Sequence, residues 1–190
     1  MRKLLSSSFA AMMYRQRPKQ FREEPVSDLL RELPSEKYGN HPVQDYIAAF
    51  EGSEIRARRI LDKGYESLVF DVVGDSVLKV TWLHLEPEFG KRPFDAPILH
   101  AGAIELGKRG LFIKRVNFFM QPKVEMRATD SDAASFGRTV DSLGYEFQDA
   151  GAHQLGYFES RLVLVDPFAV REKGTGHFWS ADKIPYYNFG

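Results

Sequence analysis

The chain has 190 residues, 43% of them hydrophobic, with 26 basic and 26 acidic side chains. That length and apolar content support one domain with a sizeable core, and the absence of net charge excludes the broad positive field with which nucleic-acid binders collect phosphates. Cysteine is absent, which excludes disulfides, thiolate nucleophiles and Cys-ligated zinc, and no run approaches the roughly 20 apolar residues of a membrane-spanning helix, so no membrane span is expected.

Met1 to Arg22 holds Arg2, Lys3, Arg15, Arg17, Lys19 and Arg22 with no acid. Leu5, Phe9, Met12 and Met13 recur at helical spacing, which predicts an amphipathic helix docked on the body rather than a targeting segment or a membrane arm. Residues 23–62 read as short helices between breakers. Ser27 or Asp28 caps one that runs to Leu33 and stops at Pro34, and the turn from Gly39 to Pro42 opens another that runs to Phe50 with Tyr46, Ile47 and Phe50 on its apolar face. Then the pattern shifts to strands. Ile60-Leu61, Leu68 to Val73 and Ser76 to Val80, broken at Lys63-Gly64 and at Gly74-Asp75, predict a three-stranded antiparallel meander.

A loop rich in Pro, Glu and Gly from Glu86 to Pro97 leads to Ile98 to Arg109, where the spacing of Ile98, Ala101 and Ile104 predicts a helix ended by Gly110. Leu111 to Val116 and Phe118 to Met126 predict two further strands, the second marked by Pro122 as bulged, an edge or a sheet exit. Five strands around one helix are therefore expected. Asp132 to Leu143 predicts another amphipathic helix with Ala133, Phe136, Val140 and Leu143 on one face, capped by Ser131 or Asp130 and ended by Gly144. A loop at Asp149 follows, then the apolar run Leu162 to Val165 ending in Asp166. Phe178, Trp179, Tyr186, Tyr187 and Phe189 predict that the last stretch packs back on the body.

Among chemically capable residues, Lys79 stands inside the apolar strand Val77-Leu78-Lys79-Val80. If buried, its ammonium needs an anionic partner, either nucleotide phosphates or a Glu; strand alternation also allows it to face solvent. His41, His84, His100, His153 and His177 lack metal-ligand spacing, and neither a Gly-x-Ser-x-Gly element nor a full phosphate loop is present. Hydrolase and Walker-type ATPase chemistry find no support.

The succession of a Gly turn, an alternating strand, the Lys79 strand, a helix with a Glu, two strands, a helix, the Asp149 loop and an apolar strand ending in Asp166 resembles the protein kinase fold over about residues 55–171. Its compact form is similar to small kinase-like proteins of phages and bacterial effectors. The resemblance implies an α+β fold: a helical N-terminal extension (1–54), an N-lobe with a five-stranded antiparallel sheet and one helix (about 55–127), and a strongly reduced helical C-lobe (about 128–190). It implies ATP- and Mg2+-dependent phosphoryl transfer to a Ser, Thr or Tyr hydroxyl of a protein substrate. Gly64 and Ser67 would then cover the phosphates, Lys79 would bind them, and Glu105, with Glu86 and Glu88 as rivals, would pair with Lys79. Asp149 would accept or orient the hydroxyl proton, Gln154 and Asp166 would hold Mg2+, and the segment at Glu125 would be the interlobe hinge that binds adenine through backbone groups.

The motifs depart from the family in several places. Only one of the three loop glycines is present, Phe147-Gln148 replace His-Arg, and Gln154 replaces an Asn with one methylene more. Asp166-Pro167-Phe168 stands for Asp-Phe-Gly, which stiffens a segment that switches in regulated kinases and predicts little regulation there. These departures leave open an alternative, a catalytically silent kinase-fold protein that acts by binding a partner protein. A cytoplasmic location is expected, inside a host cell for an effector or phage protein.

Overall fold

The computed structural model of the protein describes residues 22–34, 37–38, 41–63, 67–109, 112–148 and 150–174. The expected N-terminal amphipathic helix before Arg22, Gly39, Gly64, Gly110, Asp149 and the aromatic C-terminal stretch lie outside the described residues.

Two short helices come first, α1 (Val26–Arg31) and α2 (Val43–Phe50). Each begins directly after a proline, Pro25 and Pro42, whose extended ψ and missing N–H suit the step from chain into helix. Neither has a side-chain cap, and Ser27, expected as one, is buried inside α1. Val26, Leu29 and Leu30 of α1 join Val43, Tyr46, Ile47 and Phe50 of α2 in one cluster with the sheet that follows. Residues 24–25 also pair with 56–57, which closes the helical segment against the start of that sheet.

Strands β1 (Arg59–Lys63), β2 (Ser67–Val72), β3 (Ser76–Thr81), β4 (His100–Arg109) and β5 (Phe112–Pro122) form one antiparallel sheet in the order β1-β2-β3-β5-β4. Residues opposite one another across such strands share a face. The row Leu68, Val80, Phe118 and Gly102 therefore points one way, and with Phe70 and Leu78 it packs under α1 and α2. Each fully buried side chain in this layer contributes about 1.5–3 kcal/mol by leaving water. Gly102 is small for a reason: a Cβ there would come within 2.6 Å of the Phe118 ring.

The sheet has five strands, but not the five expected. Ile98 to Arg109 does not form a helix; most of it is β4. Its burial alternates, with Gly102, Ile104 and Leu106 turned inward and Ala103, Glu105 and Gly107 outward, which is a strand period. Hydrogen bonding to β5 along its length, and two glycines that weaken a helix, decide against the three-residue spacing of Ile98, Ala101 and Ile104. The runs expected separately from Leu111 and from Phe118 are the single strand β5, with Pro122 as its last residue. In place of a helix, a turn-rich connection (82–99) links β3 to β4.

The remainder holds α3 (Asp130–Ser142), β6 (Tyr145–Phe147), β7 (Leu155–Phe158), β8 (Arg161–Leu164) and β9 (Val170–Glu172). Thr129, not Ser131 or Asp130, caps α3, in a reciprocal box with Asp132. Gly144 follows the C-cap at φ +88°, a conformation glycine adopts without strain. Leu143, expected inward, is exposed. Antiparallel pairs β7–β8 and β6–β9 pack with α3 around Phe94, Phe136, Val140, Leu155, Leu164 and Val170 in a second cluster. A helical region is expected here; among the described residues it has one α-helix and two small sheets. Among the described residues no helix is long and apolar enough to cross a membrane.

Candidate functional site

The sheet face turned away from α1 and α2 carries the row Asp62, Val69, Lys79, Phe119 and Ala101. Connection 82–99 lies over this face. Asn117 Nδ2 donates to the Leu83 carbonyl at 2.8 Å and Gln121 Nε2 to that of Ala96 at 3.5 Å, both from buried positions on β5. On its far side the connection pairs with β8: Ala96 N–H donates to Leu164 O at 2.8 Å, and Leu164 N–H to Phe94 O at 2.7 Å. One irregular segment thus joins the sheet to the β7–β8 hairpin.

Val165, just beyond that hairpin, is where the expected site residues meet. Its carbonyl accepts from Lys79 Nζ at 2.5 Å, and its N–H donates to the Gln154 main-chain carbonyl at 2.9 Å. Asp166 is the next residue; its carboxylate accepts the Phe168 N–H at 3.2 Å and so caps the short turn Pro167–Ala169. The turn lays the Phe168 ring against Phe119 and Phe89, with centroids 6.5 and 5.1 Å apart, while the Lys79 ammonium lies 5.8 Å from the Phe119 ring. The Lys79 side chain and the Gln154 main chain thereby both meet Val165, the residue before Asp166.

Burial pulls the Lys79 ammonium below its ordinary pKa, and the carboxylates of Asp166 and Asp62 act against that shift. Lys79 retains some accessible surface, and its ammonium donates to the Val165 carbonyl. Burial outweighs these two carboxylates, so a further anion at the ammonium would favour its charged form. Gln154 and Asp166 carry an amide carbonyl and a carboxylate, the hard oxygen donors that suit Mg2+, which takes one or two protein ligands and completes its shell with phosphate and water oxygens. Among the described residues no group of three His, Asp or Glu side chains gathers as a metal cage.

The structure does not bring Glu105 to Lys79. Because β4 replaces the expected helix, Glu105 lies on an edge strand, 63% exposed, with Arg115 Nη2 3.9 Å away. It stands two strands over and further along, about 16 Å from Lys79 by sheet geometry. Glu86 and Glu88 are exposed on connection 82–99. Ser67 opens β2 opposite Thr81, on the Lys79 face and at the margin of the site. Gly64 and Asp149 lie outside the described residues; Gln148 N–H donates to Ala169 O at 2.9 Å, and Phe147 pairs with Val170. The segment entering position 149 therefore runs beside the turn that follows Asp166.

Beyond β5, Glu125 exchanges both backbone hydrogen bonds with Tyr157 of β7, at 3.0 Å each, and Lys123 N–H donates to Asp75 O at 2.7 Å. Gly156 makes the crossing possible: a Cβ there would lie 2.4 Å from Val124 Cγ2. Sequence reasoning missed Asp62, and it missed Arg92 and Asp95, whose buried ion pair at 2.8 Å joins the connection to the Asp166 turn. The cue was present in a basic residue set among Phe89, Phe94 and an Asp three positions on. Comparison with protein-family models, curated proteins and solved structures returns no match.

Proposed function

We propose that the protein is a minimal protein kinase that transfers the γ-phosphoryl group of ATP to a Ser, Thr or Tyr hydroxyl of a protein. The observation that carries this reading is the meeting of the Lys79 side chain and the Gln154 main chain at Val165, the residue before Asp166. Lys79 binds the phosphates with an ammonium whose burial outweighs the pull of Asp62 and Asp166. Asp166 and Gln154 hold Mg2+, which when bound neutralises charge on the phosphate oxygens. Asp149 orients the acceptor hydroxyl and takes its proton, while Ser67 flanks the phosphates. The five-stranded sheet, the Lys79 strand at its centre and the hairpin ending in Asp166 support a kinase-like arrangement with a connection in place of the helix between β3 and β4. Incubation with γ-labelled ATP and Mg2+ tests it: wild type should label protein, and Asp149→Ala and Asp166→Ala should fold yet fail to label. Equal labelling by both variants would sink the reading.

A second reading is favoured by Glu105, which sits at Arg115 rather than at Lys79. On this reading the fold binds a partner protein without transferring phosphate. Thermal unfolding with and without millimolar Mg-ATP separates the two, since a ligand of the folded state raises the midpoint. No shift would favour the partner-binding protein.

A further inference from the structure

Arg92 is nearly enclosed, its side chain 6% exposed, and its guanidinium is used in three directions. Nε donates to Asp95 Oδ2 at 2.8 Å, Nη1 to Val170 O at 2.9 Å and Nη2 to Pro167 O at 2.8 Å. The rings of Phe89, Phe94 and Tyr145 surround it with centroids 5.0, 5.1 and 5.9 Å from Cζ. Asp95 is buried in turn; its Oδ2 also accepts the Gly90 N–H at 2.9 Å, and its backbone bridges to Leu164. The guanidinium is therefore aimed by one carboxylate and grips the backbone on both sides of Phe168.

That grip falls on the turn that begins at Asp166. The turn's own bonds are Ala169 N–H to Asp166 O at 3.0 Å and Phe168 N–H to the Asp166 carboxylate at 3.2 Å. Proline 167 has no N–H to add. A planar fork that holds two carbonyls at fixed separation supplies the missing restraint, and a lysine, a single point donor, cannot reproduce it. We propose that Arg92, aligned by Asp95, is the positioning residue for Asp166: by holding the carbonyls of Pro167 and Val170 it fixes the direction in which the Asp166 carboxylate faces its metal. This rests on the phosphoryl-transfer reading of the site.

The test uses full-length Arg92→Lys, Asp166→Asn and the double variant, each first checked for a cooperative thermal transition. Mn2+ binding in the presence of ATP is followed by electron paramagnetic resonance, and label transfer is followed over a range of ATP. Arg92→Lys should weaken Mn2+ binding about tenfold and lower kcat by a similar factor, with KM for ATP within about twofold, since Lys79 is untouched. The double variant should lose little beyond Asp166→Asn, as expected for residues acting through one group. Should Arg92→Lys fail to fold, Asp95→Asn retains the guanidinium and loosens only its aim, and it should lose Mn2+ affinity in the same direction. Wild-type-like Mn2+ affinity in whichever folded variant is measured, with Asp166→Asn impaired, would overturn the positioning role and leave the phosphoryl-transfer reading intact. Equal Mn2+·ATP binding by wild type and Asp166→Asn would remove that reading and the positioning role together.

Discussion

Lys79 and Val165, 86 positions apart, are joined by one hydrogen bond from ammonium to carbonyl at 2.5 Å. It ties the central strand of the sheet to the end of the β7–β8 hairpin, and Asp166 follows on the same backbone. A displacement of the hairpin would move the proposed phosphate-binding cation and the proposed metal ligand together.

Lys79→Met keeps most of the stem's volume and removes the charge. A poorly compensated ammonium costs more to bury than a thioether, so stability should stay level or rise by about 1 kcal/mol. The rise in melting temperature that Mg-ATP gives the wild type should vanish. Scanning fluorimetry of the two proteins, with and without nucleotide, checks both halves; a variant destabilised yet still shifted by nucleotide contradicts them.

Burial lowers the Lys79 pKa, and bound phosphates would raise it again. Between the lowered and the ordinary value, nucleotide binding should therefore take up a proton. Titration calorimetry in two alkaline buffers of different ionisation enthalpy should reveal the uptake in wild type and none in Lys79→Met. In the same window the unfolded chain holds more protons than the folded one, so the stability of the free protein should rise with pH.

His41 gives the opposite end of the pH scale. It stacks on Trp82 with centroids 4.1 Å apart, and burial lowers its pKa to about 4 from 6.5, against the pull of Asp45 and with a further push from Lys114. The stabilisation is complete above pH 6.5 and is lost as pH falls toward about 4, because only the unfolded state protonates there. After allowance for partial exposure it amounts to roughly 2 kcal/mol. His41→Phe preserves the stack, and urea melts at both ends of that window should show a smaller acid loss than in wild type. Equal losses would refute the assignment.

Gly156→Ala should prise β7 from the segment it crosses, since the new methyl would meet Val124 Cγ2 at 2.4 Å and Cβ at 2.9 Å. Overpacking of this kind costs about 1–3 kcal/mol. A urea midpoint unchanged from wild type would mean that Val124 gives way freely.

Local signals in the sequence carried much of this fold. The β1–β3 meander, α2, α3 and the Asp166 hairpin strand were legible because breakers and apolar periods agree there with what the chain does. β4 was not. Ala101, Ala103 and the two glycines Gly102 and Gly107 leave it with little strand character of its own, and its place is decided by pairing with β5, which no local window contains. The error carried Glu105 with it. At the site, Lys79 and Asp166 stood out as charges beside apolar runs, whereas Arg92 and Asp95 sit in a loop whose burial comes from packing between sheet and hairpin. Their roles follow from contacts such as Arg92 to Val170, which sequence spacing cannot express.

On the proposed reading, the residues around Val165 transfer phosphate to protein. Mass spectrometry of a cell lysate treated with Mg-ATP and either wild type or Asp149→Ala distinguishes this from partner binding without phosphoryl transfer. Phosphorylated Ser, Thr or Tyr residues should appear with the wild type and not with the variant. Identical phosphorylation in the two samples would contradict it.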